Sequence, residues 1–163
     1  MDETTRKRLN VERLRLIDPT IRQNVKAVLA DLEREGLRPV IHSEVWRSPA
    51  EQLEKFKKGL SQVRWGFHCA TTKTGKPDSL AADIVDANKA WNVNRDWWLH
   101  VGAAAQRRGL NWGGYFGLNK NLRGGLRDVL ERKQFQANPK IGWDPAHVET
   151  ARVTIAQAKA GKR

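Results

Sequence analysis

Apolar residues recur at Ile21, Val25, Val28, Leu29 and Leu32, the spacing of one face of an α-helix. Asp18-Pro19 supplies a cap ahead of that face, and Gly36 stands where a left-handed residue ends a helix. From Arg38 to Val45 the pattern shifts toward a strand, starting at Pro39-Val40-Ile41. Ser48-Pro49-Ala50-Glu51 then reads as a capping box with proline at the first helical position. It predicts a helix running to Lys58 and closed by Gly59.

Residues 65–78 are polar and rich in turn formers, which predicts a loop. Leu80-Ala81-Ala82-Asp83-Ile84-Val85 is short and apolar enough for a strand. Asn94 or Asp96 caps a helix through Arg108, with Trp97, Val101, Ala104 and Ala105 facing inward and Gly109 ending it. Leu110 to Leu118 is rich in glycine and aromatics, Leu126 to Lys133 suits a short charged helix, and Ile141 to Val148 suits a last strand. The tail from Ala151 to Arg163 is basic, expected to be helical at first and then frayed. No internal repeat or domain boundary interrupts this order. The expectation is one α+β domain over residues 1–163, an antiparallel sheet with flanking helices and a core spanning about 19–150.

Composition narrows the class. A 163-residue chain with 39% apolar residues can bury a core without staples, and with Cys69 as its one cysteine it forms no internal disulfide and no thiol-rich metal site. The first residues are charged where a signal peptide needs an apolar stretch, so synthesis in the cytoplasm is expected. The net charge of +12 favours polyanions, whether nucleic acid, an anionic membrane surface or a bacterial cell wall.

The most specific pattern is Trp143-Asp144-Pro145-Ala146-His147. A carboxylate three residues before a histidine, on a chain stiffened by proline, can set both groups on one side of a cleft. The histidine can then bind a metal while the aspartate faces the open coordination position. His68 and Asp83 complete a set of two imidazoles and one carboxylate, which leaves a fourth tetrahedral position for water.

Arg47-Ser48-Pro49-Ala50-Glu51-Gln52, Phe67-His68, Ala81-Ala82-Asp83-Ile84, Leu110-Asn111-Trp112-Gly113-Gly114 and Asp144-Pro145-Ala146-His147 follow one another in that order. The order resembles the D-Ala-D-Ala carboxypeptidase/L-Ala-D-Glu endopeptidase family of zinc peptidases, which includes bacteriophage endolysins and vancomycin-resistance peptidases. The resemblance spans Val40 to Glu149. It implies one zinc ion per chain, held in a surface cleft by His68, Asp83 and His147, with Asp144 as general base. It also implies that Arg47 binds and polarises the substrate carbonyl or stabilises its oxyanion, and that Gln52 supports the turn carrying Arg47. Trp112 and Trp143 flank the site segments and are the candidates for contact with the wall. Fourteen residues separate His68 from Asp83, a longer gap than the family's, with the excess at 71–78 and Asp86 as an alternative ligand. The stretch between Gly114 and Asp144 is also long, and is expected to cap the cleft.

The bland reading suits the other candidates. His42 lies in a predicted strand and His100 on a helix without a paired carboxylate motif, while Cys69 is expected to be a buried, inert thiol. The functional expectation is a monomeric endolysin that cuts the L-Ala–D-Glu bond of the peptidoglycan stem and reaches the wall after release. Its basic tail is available to an anionic outer-membrane surface. A carboxypeptidase or dipeptidase trimming D-Ala-D-Ala is the alternative within the family. A basic nucleic-acid-binding protein is the alternative outside it, with no specific nucleic-acid partner expected under the leading reading.

Overall fold

The computed structural model describes residues 1–163. Six helices surround a four-stranded sheet: α1 (Glu3–Leu14), α2 (Pro19–Arg34), β1 (Pro39–Ile41), α3 (Pro49–Lys57), β2 (Ala81–Asp86), α4 (Arg95–Arg107), β3 (Leu110–Trp112), α5 (Lys120–Arg132), β4 (His147–Thr150) and α6 (Ile155–Lys159). The strand order is β1-β2-β4-β3 and every neighbouring pair is antiparallel. This is the expected α+β domain. The caps explain where the helices start. Asp18 accepts from the Thr20 backbone N–H at 2.7 Å, Ser48 and Glu51 form the reciprocal capping box, and Asn94, not Asp96, caps α4.

The sheet has two differently used faces because side chains alternate along each strand. Ala82, Ile84, Val148 and Trp112 join the main core with α2 and α4. Asp83 and His147 are direct partners in the β2–β4 register and point the other way, with Glu149 two residues along β4 on the same side. A smaller apolar cluster of Phe67, Ala70, Leu80, Ala81 and Ala158 lies beside them and supports a 3-10 turn, Phe67–Cys69, that carries His68.

Four elements depart from the sequence expectations. Helix α1 leaves no apolar stripe in the sequence, because the side chains it buries are polar: Arg6 donates to the Pro39 carbonyl and pairs with Glu3 and Glu33, and Asn10 bonds the Pro39 carbonyl and the Ile41 N–H. Helix α5 begins at Lys120, well before Leu126, because Asn119 caps it and Gly124-Gly125 continue as helix. The last strand is His147–Thr150, not 141–148. Residues 141–146 are an irregular connection around Pro145.

The tail is docked, not frayed. Ala158 is buried, Arg163 Nε lies 2.8 Å from Asp18, and Arg163 also donates to the Thr71 carbonyl. With Ile17 fully buried at the other end, the core extends beyond 19–150.

Candidate metal centre

His68, Asp83 and His147 converge, with one donor atom from each within 4.8 Å of the others. The Nδ1 of His68 is 2.8 Å from the Val45 carbonyl, so that nitrogen carries the hydrogen and Nε2 is left facing the centre. On His147 the roles reverse. Its Nε2 is 2.9 Å from Glu149 Oε2, and its Nδ1 is 3.1 Å from Asp83 Oδ1 and 3.3 Å from His68 Nε2. Each imidazole therefore has one nitrogen anchored by an oxygen and one turned inward, which is how metal-binding histidines are usually held.

The donor set fits a divalent cation. Burial opposes charge on His147, but its hydrogen bonds to Asp83 and Glu149 prevail and push its pKa up to about 10 in the metal-free chain. Burial likewise opposes charge on Asp83, yet His68 and His147 hold its carboxyl well below the usual range. The two carboxylates thus demand a positive charge between them, which either a proton or a metal can meet. Asp86 does not take part. Its carboxylate accepts from the Asn88 and Lys89 N–H groups, at 2.9 and 2.8 Å, and closes the turn after β2.

The long gap between His68 and Asp83 is accommodated locally. Residues 71–77 fold out as a tight turn with Thr71 bridged to Pro77 and Gly75 at φ +79°. The chain returns so that Asp78 N–H donates to the Ala70 carbonyl and Leu80 N–H to the Phe67 carbonyl. The excursion leaves both ligand-bearing segments in place.

Asp144 lines the same cleft, about 460 Å³ in volume, together with Arg47, His68, Asp83, Trp143 and His147. Burial raises the pKa of Asp144, and the neighbouring Asp83 charge adds to the rise against the pull of His147, His68 and Arg47. Arg47 has 3.5 Å between its guanidinium and Asp83 Oδ2, and it donates to Gln52 Oε1 at 3.1 Å. Its Nε is 3.3 Å from Glu44 without the alignment of a hydrogen bond. The buried Gln52 also donates to Ser61 Oγ and the Val63 carbonyl, so it braces Arg47 against the 60–63 wall of the cleft.

The glycines of the Trp112-Gly113-Gly114 segment have a steric reason. A Cβ on Gly113 would overlap the Asp144 carbonyl oxygen and sit 3.0 Å from His147 Cβ. Only glycine lets the chain leaving β3 pass directly under the Asp144–His147 turn.

Two expectations need correction. Trp112 is not a wall-contact residue: it is 1% exposed, packed in the core, and its Nε1 donates to the Pro145 carbonyl at 2.7 Å. It anchors the turn from beneath. The long 115–142 stretch does not cap the cleft either, since α5 packs on α4 and only Phe116 of that stretch reaches the opening. Trp143 is 59% exposed and lines the cleft. Cys69 is buried, and burial pushes its thiol pKa up. Glu149 was missed. The alternation of a strand beginning at His147 was the signal that put Glu149 on the same face.

The fold and the site together define a small α+β domain with a two-histidine, one-carboxylate centre in a surface cleft. The chain is similar in structure to the Serratia marcescens L-Ala D-Glu endopeptidase ChiX, a crystal structure, with a TM-score of 0.56 over 88% of this chain and 86% of that one at 20% identity. At that identity the likeness establishes a common fold. No family model matches the sequence, and no curated protein matches it.

Proposed function

We propose that this chain is a zinc-dependent peptidase of bacterial peptidoglycan, cutting the L-Ala–D-Glu bond of the stem peptide. The observation that carries the reading is the convergence of His68, Asp83 and His147 in a cleft that also takes in Asp144 and Arg47. The fold shared with an L-Ala D-Glu endopeptidase supports the choice of substrate. When bound, zinc would lower the pKa of a coordinated water to about 7 and act as a Lewis acid toward the carbonyl.

The remaining tasks fall to side chains. Asp144 accepts a proton from the attacking water as the water oxygen bonds to the amide carbon. It returns that proton to the leaving nitrogen as the C–N bond breaks. Arg47 offers guanidinium N–H groups where negative charge builds on the carbonyl oxygen. The surrounding field, from a net charge of +12, draws the carboxylate-bearing stem peptides toward the cleft.

The variants Asp144→Ala and His147→Ala test these roles. Asp144→Ala is expected to retain metal and lose roughly 100- to 10,000-fold in cleavage rate, the usual worth of a general base. His147→Ala is expected to lose both metal and cleavage. Zinc content and fragment release from purified peptidoglycan read the two effects. A fast Asp144→Ala variant removes the base assignment, and a His147→Ala variant with stoichiometric zinc removes the ligand assignment.

A further inference from the structure

A second exposed indole lines the cleft and has no part in the chemistry above. Trp91 is 50% exposed and belongs to the cleft wall. The turn that carries it is ordered from both ends. Asp86 accepts the N–H groups of Asn88 and Lys89, Ala90 N–H donates to the Asp86 carbonyl at 2.9 Å, and Ala90 itself takes a left-handed φ of +50°. A non-glycine residue in that region is strained, and here the strained residue directly precedes the indole. The ring is held further by His42, whose imidazole meets it edge to face with centroids 4.6 Å apart. His42 in turn lies beside Asp83, its N–H donating to the Asp83 carbonyl at 2.7 Å.

Trp91 therefore stands on the β1 flank of the cleft, against an imidazole whose backbone is bonded to that of Asp83. Trp143 stands on the β4 flank, reached through Phe116, whose ring is 5.8 Å from His147 and 5.5 Å from Trp143. The two surroundings differ. Trp143 sits against Phe116 and Gly117, with Asp144 next to it in the chain. Trp91 has the exposed Lys89 and Asn92 within two positions of it in the chain and His42 against its ring. An aromatic face rimmed by hydrogen-bonding groups suits a ring with both C–H and hydroxyl surfaces.

The geometry points to Trp91 as a stacking platform for a saccharide ring, the N-acetylated sugar to which the stem peptide is attached; this rests on the peptidoglycan reading above. The alanine next to the proposed scissile bond is the residue that joins the sugar. One residue of extended chain, about 3.5 Å, plus the linking acyl group puts the ring on the order of 10 Å from the centre. Trp91 and the three ligand residues line one cleft, so a ring at that reach can lie against the same wall. The protein should therefore prefer sugar-bearing muropeptides to the same stem peptide without sugar, with Trp91 as the source of the preference.

The test compares kcat/KM of the zinc-loaded protein on a soluble muropeptide and on the identical stem peptide freed of its sugar. The wild-type chain is expected to favour the muropeptide by about tenfold, as one good aromatic stack can supply. Trp91→Ala is expected to erase that preference through KM, and Trp91→Phe to restore most of it. An unchanged preference in Trp91→Ala, or a preference that moves only in Trp143→Ala, overturns the proposal. Cleavage of neither substrate by the zinc-loaded wild-type chain instead overturns the peptidase reading, and the platform with it.

Discussion

Replacing Gly113 with alanine should disable the site without touching any residue that does chemistry. The added Cβ would lie 3.0 Å from His147 Cβ and 3.1 Å from the Asp144 carbonyl carbon, and closer still to the Asp144 oxygen. Carbon atoms normally meet at about 3.5–4.0 Å, so the turn must move by at least about 0.5–1 Å, and further at the Asp144 oxygen, where the overlap is worst. Trp112 resists the movement from below, through its bond to the Pro145 carbonyl. A misplacement of about 1 Å in a catalytic group costs on the order of 100-fold in rate, or about 2.7 kcal/mol of barrier. The overpacking itself is expected to cost about 1–3 kcal/mol of stability. The assay is kcat/KM on a stem-peptide substrate with zinc in excess, paired with a thermal melt. Gly124→Ala is the control, since a Cβ there meets nothing within 4 Å. On helix α5 it should raise stability by about 0.5–1 kcal/mol and leave the rate alone. A folded Gly113→Ala protein within about threefold of the wild-type rate would refute the claim that this glycine positions the turn.

Glu149→Gln is expected to weaken zinc binding by about 10- to 100-fold, because the carboxylate 2.9 Å from His147 Nε2 no longer holds that imidazole; competition with a metal-binding dye reads it, and unchanged affinity would deny Glu149 its role. The metal-free chain should lose stability as pH rises. His147 is raised from an ordinary 6.5 to about 10 in the folded state, so its contribution is full below about 6.5 and is lost as pH passes through 10. Melting temperatures of chelator-treated protein between pH 6 and 10 should fall, and His147→Gln should flatten the slope; a pH-independent melt of the unsubstituted chain contradicts the charged His147.

Much of this molecule is legible from its residues where apolar periodicity and local capping agree. Helices α2 and α4 carry both signals and α3 the capping signal alone, and each starts at a cap visible in the sequence. Helix α1 carries the wrong kind of signal. It docks through Arg6 and Asn10, and buried polar contacts leave no apolar stripe to read. The first half of helix α5 is masked in the sequence by its two glycines, which lower helix propensity but are outweighed in the structure by the Asn119 cap and the packing of Leu126 and Leu130.

At the site, the proposed ligand residues follow from their motifs, but their surroundings do not. Whether an indole in a glycine-rich segment faces solvent or core depends on which face of β3 it occupies. Trp112 pairs with Val148 and so falls on the core side. Docking of the last residue onto Asp18, an ion pair 145 positions apart in the chain, is likewise beyond any local pattern.

The central claim is most directly tested by mass spectrometry of the fragments released from purified peptidoglycan, with and without a metal chelator. Cleavage between L-Ala and D-Glu that stops when the chelator is added, and returns with zinc, is the predicted result. Release of free D-alanine would move the scissile bond to the end of the stem. Cleavage indifferent to the chelator, or no release by zinc-loaded protein, would contradict the account.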